Sequence, residues 1–246
     1  MGERRAALRV LTLDVLGTLL ELDQPARRLR EALRGEPGVA ISPLEAQRAL
    51  AAEFAYYRAH HLEGSDRRSL AELRRRCALA LAAALPQAQG GAPAIETVQA
   101  ALMAALRFRP FGEVQAALRR ARAHGLKLIA VSNWDVSLPC TLERAGLAKL
   151  LDGVVCSAGV GAAKPARAPF ERALALAGAE PQEALHVGDS IEADVAGAQA
   201  VGMRAALLVR AHGAPQQQLQ GAVPVIASLD QLPDLTEDAT ADGEGR

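Results

Sequence analysis

The segment LRVLTLDVLGTLL, residues 8–20, carries a mostly apolar run into Asp14 and then into the turn-forming pair Gly17-Thr18. A second segment, LHVGDSIEAD, residues 185–194, repeats the pattern: an apolar run ends in Gly188-Asp189, and a further carboxylate, Asp194, follows five residues after Asp189. An apolar run closed by an acid and a glycine-containing turn reads as a buried strand with a loop just beyond its end. Two such strand ends, in a chain where strands and helices alternate, bring the acids together at one edge of a parallel sheet, the edge at which open α/β folds bind ligands. The chemistry open to carboxylates gathered in this way is nucleophilic attack and ligation of a hard cation.

The elements that must position these acids are legible in outline. After the first strand the chain keeps a helical periodicity, with no convincing strand, from about 24 to 107. The pattern predicts helices over 24–34, 43–62, 66–85 and 94–107, broken at Gly35–Gly38, Glu63–Asp66 and 86–93. Ser42-Pro43-Leu44-Glu45 offers a Ser cap, a Pro at the first helical position and a Glu at the third. Beyond Arg109-Pro110-Phe111-Gly112 the pattern changes. Helices near 113–124, 136–145, 168–178 and 191–201 alternate with strands at 126–131, 153–156, 184–187 and 204–209. Right-handed crossovers make those strands parallel and put helices on both faces. The fold class expected is α/β: a Rossmann-like, doubly wound parallel sheet with an inserted all-α domain. The core is expected to be residues 1–20 plus 109–233 and the insertion 21–108, with an acidic, frayed tail over 234–246.

These residues resemble the haloacid dehalogenase superfamily, of the type with a helical cap inserted after the first motif. Its first motif, Asp-x-Asp-x-Thr/Val after an apolar strand, stands here as Asp14-Val15-Leu16-Gly17-Thr18, matching except at its third position. The second, a Ser or Thr that closes an apolar strand, is matched by Ser132-Asn133, the third by Lys164-Pro165, and the fourth by Gly188-Asp189-Ser190 with Asp194. Four motifs in family order, each at a strand end, carry the likeness across nearly the whole chain. The resemblance implies that Asp14 is the nucleophile and that Mg2+ is held by Asp14, Asp189, Asp194 and the backbone carbonyl of Leu16. It further implies that Ser132 and Lys164 stabilise the transferred group, and that Gly17, Thr18 and Asn133 contact substrate. The residues after Lys164-Pro165, Ala166-Arg167-Ala168, depart from the family's usual Asp-Pro, although Phe170 keeps its place.

Leu16 stands where phosphatases of that family carry the Asp that protonates the leaving group and activates water. Leu can do neither, and loss of general acid–base help costs ~10²–10⁴ in rate. Leaving groups that are already stable anions, such as that of an acyl phosphate, suffer least. The expected function is therefore a Mg2+-dependent phosphohydrolase of weakened or restricted activity, acting on a small phosphorylated metabolite. One alternative is a 2-haloacid dehalogenase, in which Asp14 attacks carbon and halide leaves without a proton. Another is a phospho-ligand-binding or interaction protein that has lost turnover. His186, within an apolar strand, is read as a satisfied core histidine.

Composition narrows the class without naming it. At 246 residues and 50% hydrophobic, the chain can bury a substantial core. Its 28 basic and 28 acidic residues leave no net charge, so bulk electrostatics supplies no reason to expect nucleic acid or membrane as partner. The 3 cysteines are widely spaced, which argues for neither a disulfide framework nor a zinc site. The N-terminus shows no secretory leader and no segment is apolar enough to span a bilayer, so a cytoplasmic monomer or homodimer is expected.

Overall fold

The computed structural model describes residues 6–34, 41–86, 93–210 and 223–237. In chain order these give β1 (Val10–Leu13), β2 (Leu20–Leu22), α1 (Pro25–Ala32), α2 (Pro43–His60), α3 (Arg67–Ala84), α4 (Ile95–Ala105) and β3 (Phe108–Pro110). There follow α5 (Val114–Ala123), β4 (Lys127–Ser132), α6 (Leu138–Arg144), β5 (Gly153–Cys156), α7 (Ser157–Val160) and α8 (Arg167–Ala177). The last are β6 (Ala184–Gly188), α9 (Gly197–Ala200), β7 (Arg204–Leu208), β8 (Val225–Ile226) and α10 (Leu232–Glu237). The chain divides into two compact units. One holds the described residues up to Glu21, Pro110–Asn133 and those from Ser137 onward; the other holds Leu22–Arg109 with Trp134–Val136. Strands β2 and β3 pair as a two-stranded ribbon where the chain passes out of the first unit and returns.

The first unit is built on a six-stranded parallel sheet in the order β5-β4-β1-β6-β7-β8. Every residue of β1 and of β6 is buried, as expected for inner strands of a sheet covered on both faces. Phe170, Ala173 and Leu174 of α8 and Val195 and Ala198 join Val10, Ile129, Val131, Ala205 and Leu207 in one apolar core. The short edge strand β8 is an element the residue pattern did not announce. Of the tail expected over 234–246, the residues up to Glu237 belong to the helix Leu232–Glu237, at whose start Leu229 and Leu232 are buried. Residues 238–246 lie outside the described residues.

The second unit is helical, with Leu29, Leu50, Leu73, Leu81, Val98 and Leu102 at its centre. Helix α2 begins on the Ser42/Glu45 capping box that the residues announced, and α3 begins on a second one, Asp66/Ser69. Asp135 accepts a hydrogen bond from the Tyr57 hydroxyl at 2.8 Å, and Trp134 packs on Phe108 with ring centroids 5.0 Å apart. Glu53 is an anomaly in this core. It is 2% exposed, and one of its carboxylate oxygens has no hydrogen-bond partner.

Burial pushes the Glu53 carboxyl from 4.5 up to about 7, against a smaller opposing effect of a hydrogen bond from the Cys77 thiol. A carboxyl whose pKa is raised on folding favours the protonated fold. Its stabilisation is complete below the unfolded value of 4.5 and is lost as pH rises through about 7. A displacement of that size corresponds to about 3 kcal/mol. Thermal unfolding should therefore show the parent losing stability from about pH 5 to about pH 8.5, with Glu53→Gln losing markedly less. Equal losses in the two proteins would rule this account out.

Candidate active site

The sheet register explains why distant residues meet. Strand β1 pairs with β4 on one side and β6 on the other, with Leu13 opposite both Ala130 and Val187. The residues that end these three strands therefore lie level with one another. Asp14 follows β1, Ser132 closes β4, and Asp189 follows Gly188 at the end of β6. Strand order reverses direction about β1, which makes this edge the switch point of the sheet. Asp194 arrives from a different construction. Ile191–Ala196 is a π-helical turn capped by the Ser190 hydroxyl, which accepts from the amide of Ala193 at 3.1 Å. Such wide turns are short-lived in sequence and cluster at functional sites. Gly188 makes the approach possible: a Cβ there would stand 2.2 Å from the Asp194 carboxyl carbon.

Lys164 is the hub. Its ammonium donates to Asp14 Oδ1 at 2.7 Å, to Asp194 Oδ1 at 2.5 Å and to the Val131 carbonyl at 2.9 Å. All three of its protons are thereby engaged. Asn133 places it: its side-chain amide donates to the Lys164 carbonyl at 3.0 Å and its side-chain oxygen accepts from the Lys164 amide at 2.7 Å. The Ser132 hydroxyl donates to Asp14 Oδ1 at 3.1 Å. Asp194 Oδ2 accepts from the Ser190 amide at 3.0 Å. Behind Asp194 lies His186, whose Nε2 is 3.1 Å from Asp194 Oδ1 and whose Nδ1 is 2.8 Å from the Thr12 hydroxyl. Burial holds the His186 pKa below its ordinary value despite the Asp194 contact. An ionised Asp194 can only accept, which places a proton on Nε2; the Thr12 hydroxyl stands within reach of both Nδ1 and the Leu185 carbonyl.

One ammonium faces three acids. Oxygen atoms of Asp14, Asp189 and Asp194 lie within 4.8 Å of one another. Burial, reinforced by Asp194 and Asp189 and opposed by Lys164, raises Asp14 from 3.8 to about 6. Asp189 is raised by burial and by Asp194, and is pulled back by Lys164 and Arg210. Burial works against ionised Asp194 as well, but the Lys164 charge and the His186 hydrogen bond outweigh it and hold its pKa below the ordinary value. Lys164 resists deprotonation despite burial, because both Asp14 and Asp194 face it. With the three acids ionised and Lys164 charged, two negative charges are uncompensated, the charge of one divalent cation. The donors are all carboxylate oxygens, which suits a hard ion such as Mg2+. Asp14, Asp189 and Asp194 each offer an oxygen that could hold it.

The structure brings Asp14, Ser132, Asn133, Lys164, Asp189 and Asp194 together at one sheet edge. Leu16 and Gly17 lie on the loop after Asp14, with the Leu16 side chain 43% exposed. Gly17 is in the left-handed region at φ 89, and a Cβ there would meet Asp189 Oδ2 at 2.1 Å. Thr18 is fully buried and its hydroxyl has no hydrogen-bond partner. The Lys164–Pro165 peptide is cis. His186 is a buried and satisfied histidine, as its strand pattern implied, but one that is satisfied by Asp194. The signal available in the residues was a polar side chain in each of two otherwise apolar, acid-ended strands. Thr12 and His186 are partners in the β1–β6 register.

Comparison with known proteins gives the family. Residues 8–202 match the family of haloacid dehalogenase-like hydrolases. The human haloacid dehalogenase-like hydrolase domain-containing protein 3 is 32% identical over 212 residues, covering 83% of each chain. A phosphoserine phosphatase from Thermus thermophilus is 39% identical over 119 residues, 47% of this chain and 48% of that protein. Among solved structures, a 2-haloacid dehalogenase from Pseudomonas syringae superposes with a TM-score of 0.64 at 25% identity, covering 94% of this chain and 99% of that one.

Proposed function

This chain belongs to the haloacid dehalogenase-like hydrolases, and on that premise we propose that it is a Mg2+-dependent phosphohydrolase that acts on a small phosphorylated metabolite through an aspartyl-phosphate on Asp14. The observation that carries the reading is the charge imbalance at the sheet edge: Asp14, Asp189 and Asp194 crowd together, and one ammonium pairs with two of them. A site that attacks carbon needs no such excess of carboxylate. The partial likeness to a phosphatase supports the same reading. In this reading residues 21–108 form the cap and 1–20 with 109–233 the core.

Asp14 Oδ1 is held by Ser132 and Lys164, which leaves Oδ2 to attack phosphorus. As that P–O bond forms, the bond to the leaving group breaks and the leaving group departs with the electron pair. Water then attacks the phosphorus of the aspartyl-phosphate, releasing inorganic phosphate and restoring the carboxylate. Ser132 and Lys164 stabilise charge on the transferred group. Gly17, Thr18 and Asn133 line or shape the phosphate-binding edge, Asn133 by fixing Lys164. Asp14, Asp189 and the Leu16 carbonyl, with Asp194 in support, would hold Mg2+, which would screen the carboxylate from the phosphate dianion.

Leu16 offers no proton to the departing oxygen, and the ammonium protons of Lys164 are spent on Asp14, Asp194 and Val131. Aryl and acyl phosphates, whose leaving groups are stable anions, are therefore favoured over alkyl phosphates. Turnover of an aryl phosphate with and without Mg2+ tests the proposal; no metal-dependent release of phosphate would sink it. Leu16→Asp should raise alkyl-phosphate turnover more than aryl, by at most the ~10²–10⁴ typical of an acid–base group. An unchanged ratio in the folded variant would show that leaving-group protonation is not what this position controls. Leu16 also fits a site that releases halide, in keeping with the structural likeness to a 2-haloacid dehalogenase. Halide release from a 2-haloacid by the parent, destroyed by Leu16→Asp, would select that chemistry instead. Tight phosphate binding without turnover would select a ligand-binding role.

A further inference from the structure

Arg210 follows β7, and no step outlined above uses it, yet its guanidinium is fully committed. Nε donates to the Gly17 carbonyl at 3.1 Å and Nη2 to the Thr18 carbonyl at 2.7 Å. Nη1 stands 2.7 Å from Glu113 Oε1, in an ion pair without hydrogen-bond alignment. The guanidinium carbon lies 3.6 Å from the centre of the Phe111 ring. The arginine and glutamate side chains are only 17% and 16% exposed. A solvated surface arginine does not spend every nitrogen and one face of its plane on protein. The rigid planar fork of arginine can span two successive carbonyls in fixed geometry, whereas a lysine ammonium is a point charge on a flexible stem.

Those two carbonyls belong to the loop that leads away from Asp14. The loop is already folded back on itself: Gly17 N donates to the Leu20 carbonyl at 2.8 Å, and the amides of Leu19 and Leu20 donate to the Val15 carbonyl at 2.8 and 2.7 Å. Its tip presses on the Asp189 carboxylate at Gly17, where no side chain fits. Phe111, the ring beneath the guanidinium, donates its own amide to the Leu19 carbonyl at 3.2 Å. One side chain thus joins the Asp14 loop, the segment at which the chain re-enters the first unit, and the end of β7. Its positive charge also offsets part of what burial and Asp194 impose on Asp189.

We propose that Arg210 is a positioning residue of the active site: by holding the Gly17 and Thr18 carbonyls it fixes the loop that carries Leu16 against the Asp189 carboxylate, and so sets the affinity of the site for its divalent cation. The cation half of this inference rests on the phosphohydrolase reading; the loop half does not.

Hydrogen exchange and Mg2+ calorimetry on the full chain separate the two halves. In Arg210→Gln the amides of Gly17, Leu19 and Leu20 should exchange faster while those of β1, β4 and β6 keep their protection. The Mg2+ dissociation constant, and the half-activating Mg2+ concentration with an aryl phosphate, should rise by about 10–100-fold, the effect usual for residues that orient metal ligands. kcat at low Mg2+ should fall more than KM rises. Arg210→Lys should restore charge without restoring loop protection, and Glu113→Gln should shift both readouts in the same direction by less. Unchanged loop protection and Mg2+ affinity in Arg210→Gln would overturn the assignment, as would protection lost evenly across the sheet. If the parent neither binds Mg2+ nor hydrolyses the aryl phosphate, the functional reading falls, while loop protection still decides whether Arg210 holds the loop.

Discussion

Asp14→Asn should reduce hydrolysis to background and, in the same preparation, make the metal-free protein more stable. The first effect follows because an amide of nearly the same shape is a poor nucleophile. The second follows from the crowding of acids. Asp14 rises from 3.8 to about 6 in the fold, chiefly through burial. Its folded pKa is above the unfolded one, so the fold favours protonated Asp14. That stabilisation is present below about pH 4 and is lost as pH rises through about 6. Above that range ionised Asp14 costs the fold up to about 3 kcal/mol, which a neutral Asn avoids. The expected result is a dead enzyme with a higher melting temperature than the parent at about pH 8 in chelator, and little difference near pH 4. Saturating Mg2+ should close the gap by stabilising the parent more than the variant. Substantial turnover in the variant would remove Asp14 as nucleophile. A variant that melts lower than the parent at every pH would remove the charge-crowding account.

Lys164→Met should be the most destabilising single change at this edge. The methionine fills much the same space, so the loss is electrostatic rather than one of packing. It strands Asp14 and Asp194, the latter with a side chain only 2% exposed, and leaves the Val131 carbonyl without its donor. Removing one partner from a buried ionic cluster costs about 3–5 kcal/mol, because the remaining charge stays desolvated. The sign with pH is distinctive. The Asp194 pKa is held low in the parent, mainly by Lys164 acting against burial. Its contribution is therefore present above its unfolded value and is lost only as pH falls through the depressed one. Without Lys164 that contribution disappears, so the difference between variant and parent should be large at about pH 8 and shrink toward about pH 4, as both carboxylates protonate. Chemical denaturation at the two pH values reads it directly. A loss below about 1 kcal/mol at the higher pH would show that the ammonium is not what balances the carboxylates. Turnover should fall by about 10²–10³ in any fraction that remains folded, as when a charge-stabilising donor is removed from an active site.

Much of this molecule was legible without coordinates, for identifiable reasons. Helical periodicity is local, so the helices now labelled α1 to α4 were placed within a few residues. The Ser42 box fixed the start of α2 through bonds that span three residues. Apolar runs marked the strands at 126–131, 153–156, 184–187 and 204–209; for β4, β6 and β7 the reason is that an inner strand of a covered parallel sheet carries few solvated side chains. What local pattern could not show were elements that exist only through their partners. Strands β2, β3 and β8 hold two or three residues each and form only because a neighbour accepts their hydrogen bonds. The segment 191–196, read as ordinary helix, widens to a π turn that carries Asp194.

The acids at the ends of β1 and β6 were legible from the residues alone, since strand ends and glycine turns are written in local order, whereas the serine that closes β4 and the lysine after α7 were singled out only by resemblance to a family. Their convergence was also implied, because parallel strands joined by right-handed crossovers end at the same edge. The balance of charge within that edge was decided by tertiary structure. Lys164 became a shared partner of two carboxylates, His186 became the support of one of them, and Arg210 became a clasp on the loop after Asp14. Each of these contacts spans between 8 and 193 residues. Single polar residues in apolar or loop surroundings have no periodicity to betray them, and their roles are set by which side chains packing places within about 3 Å of each other.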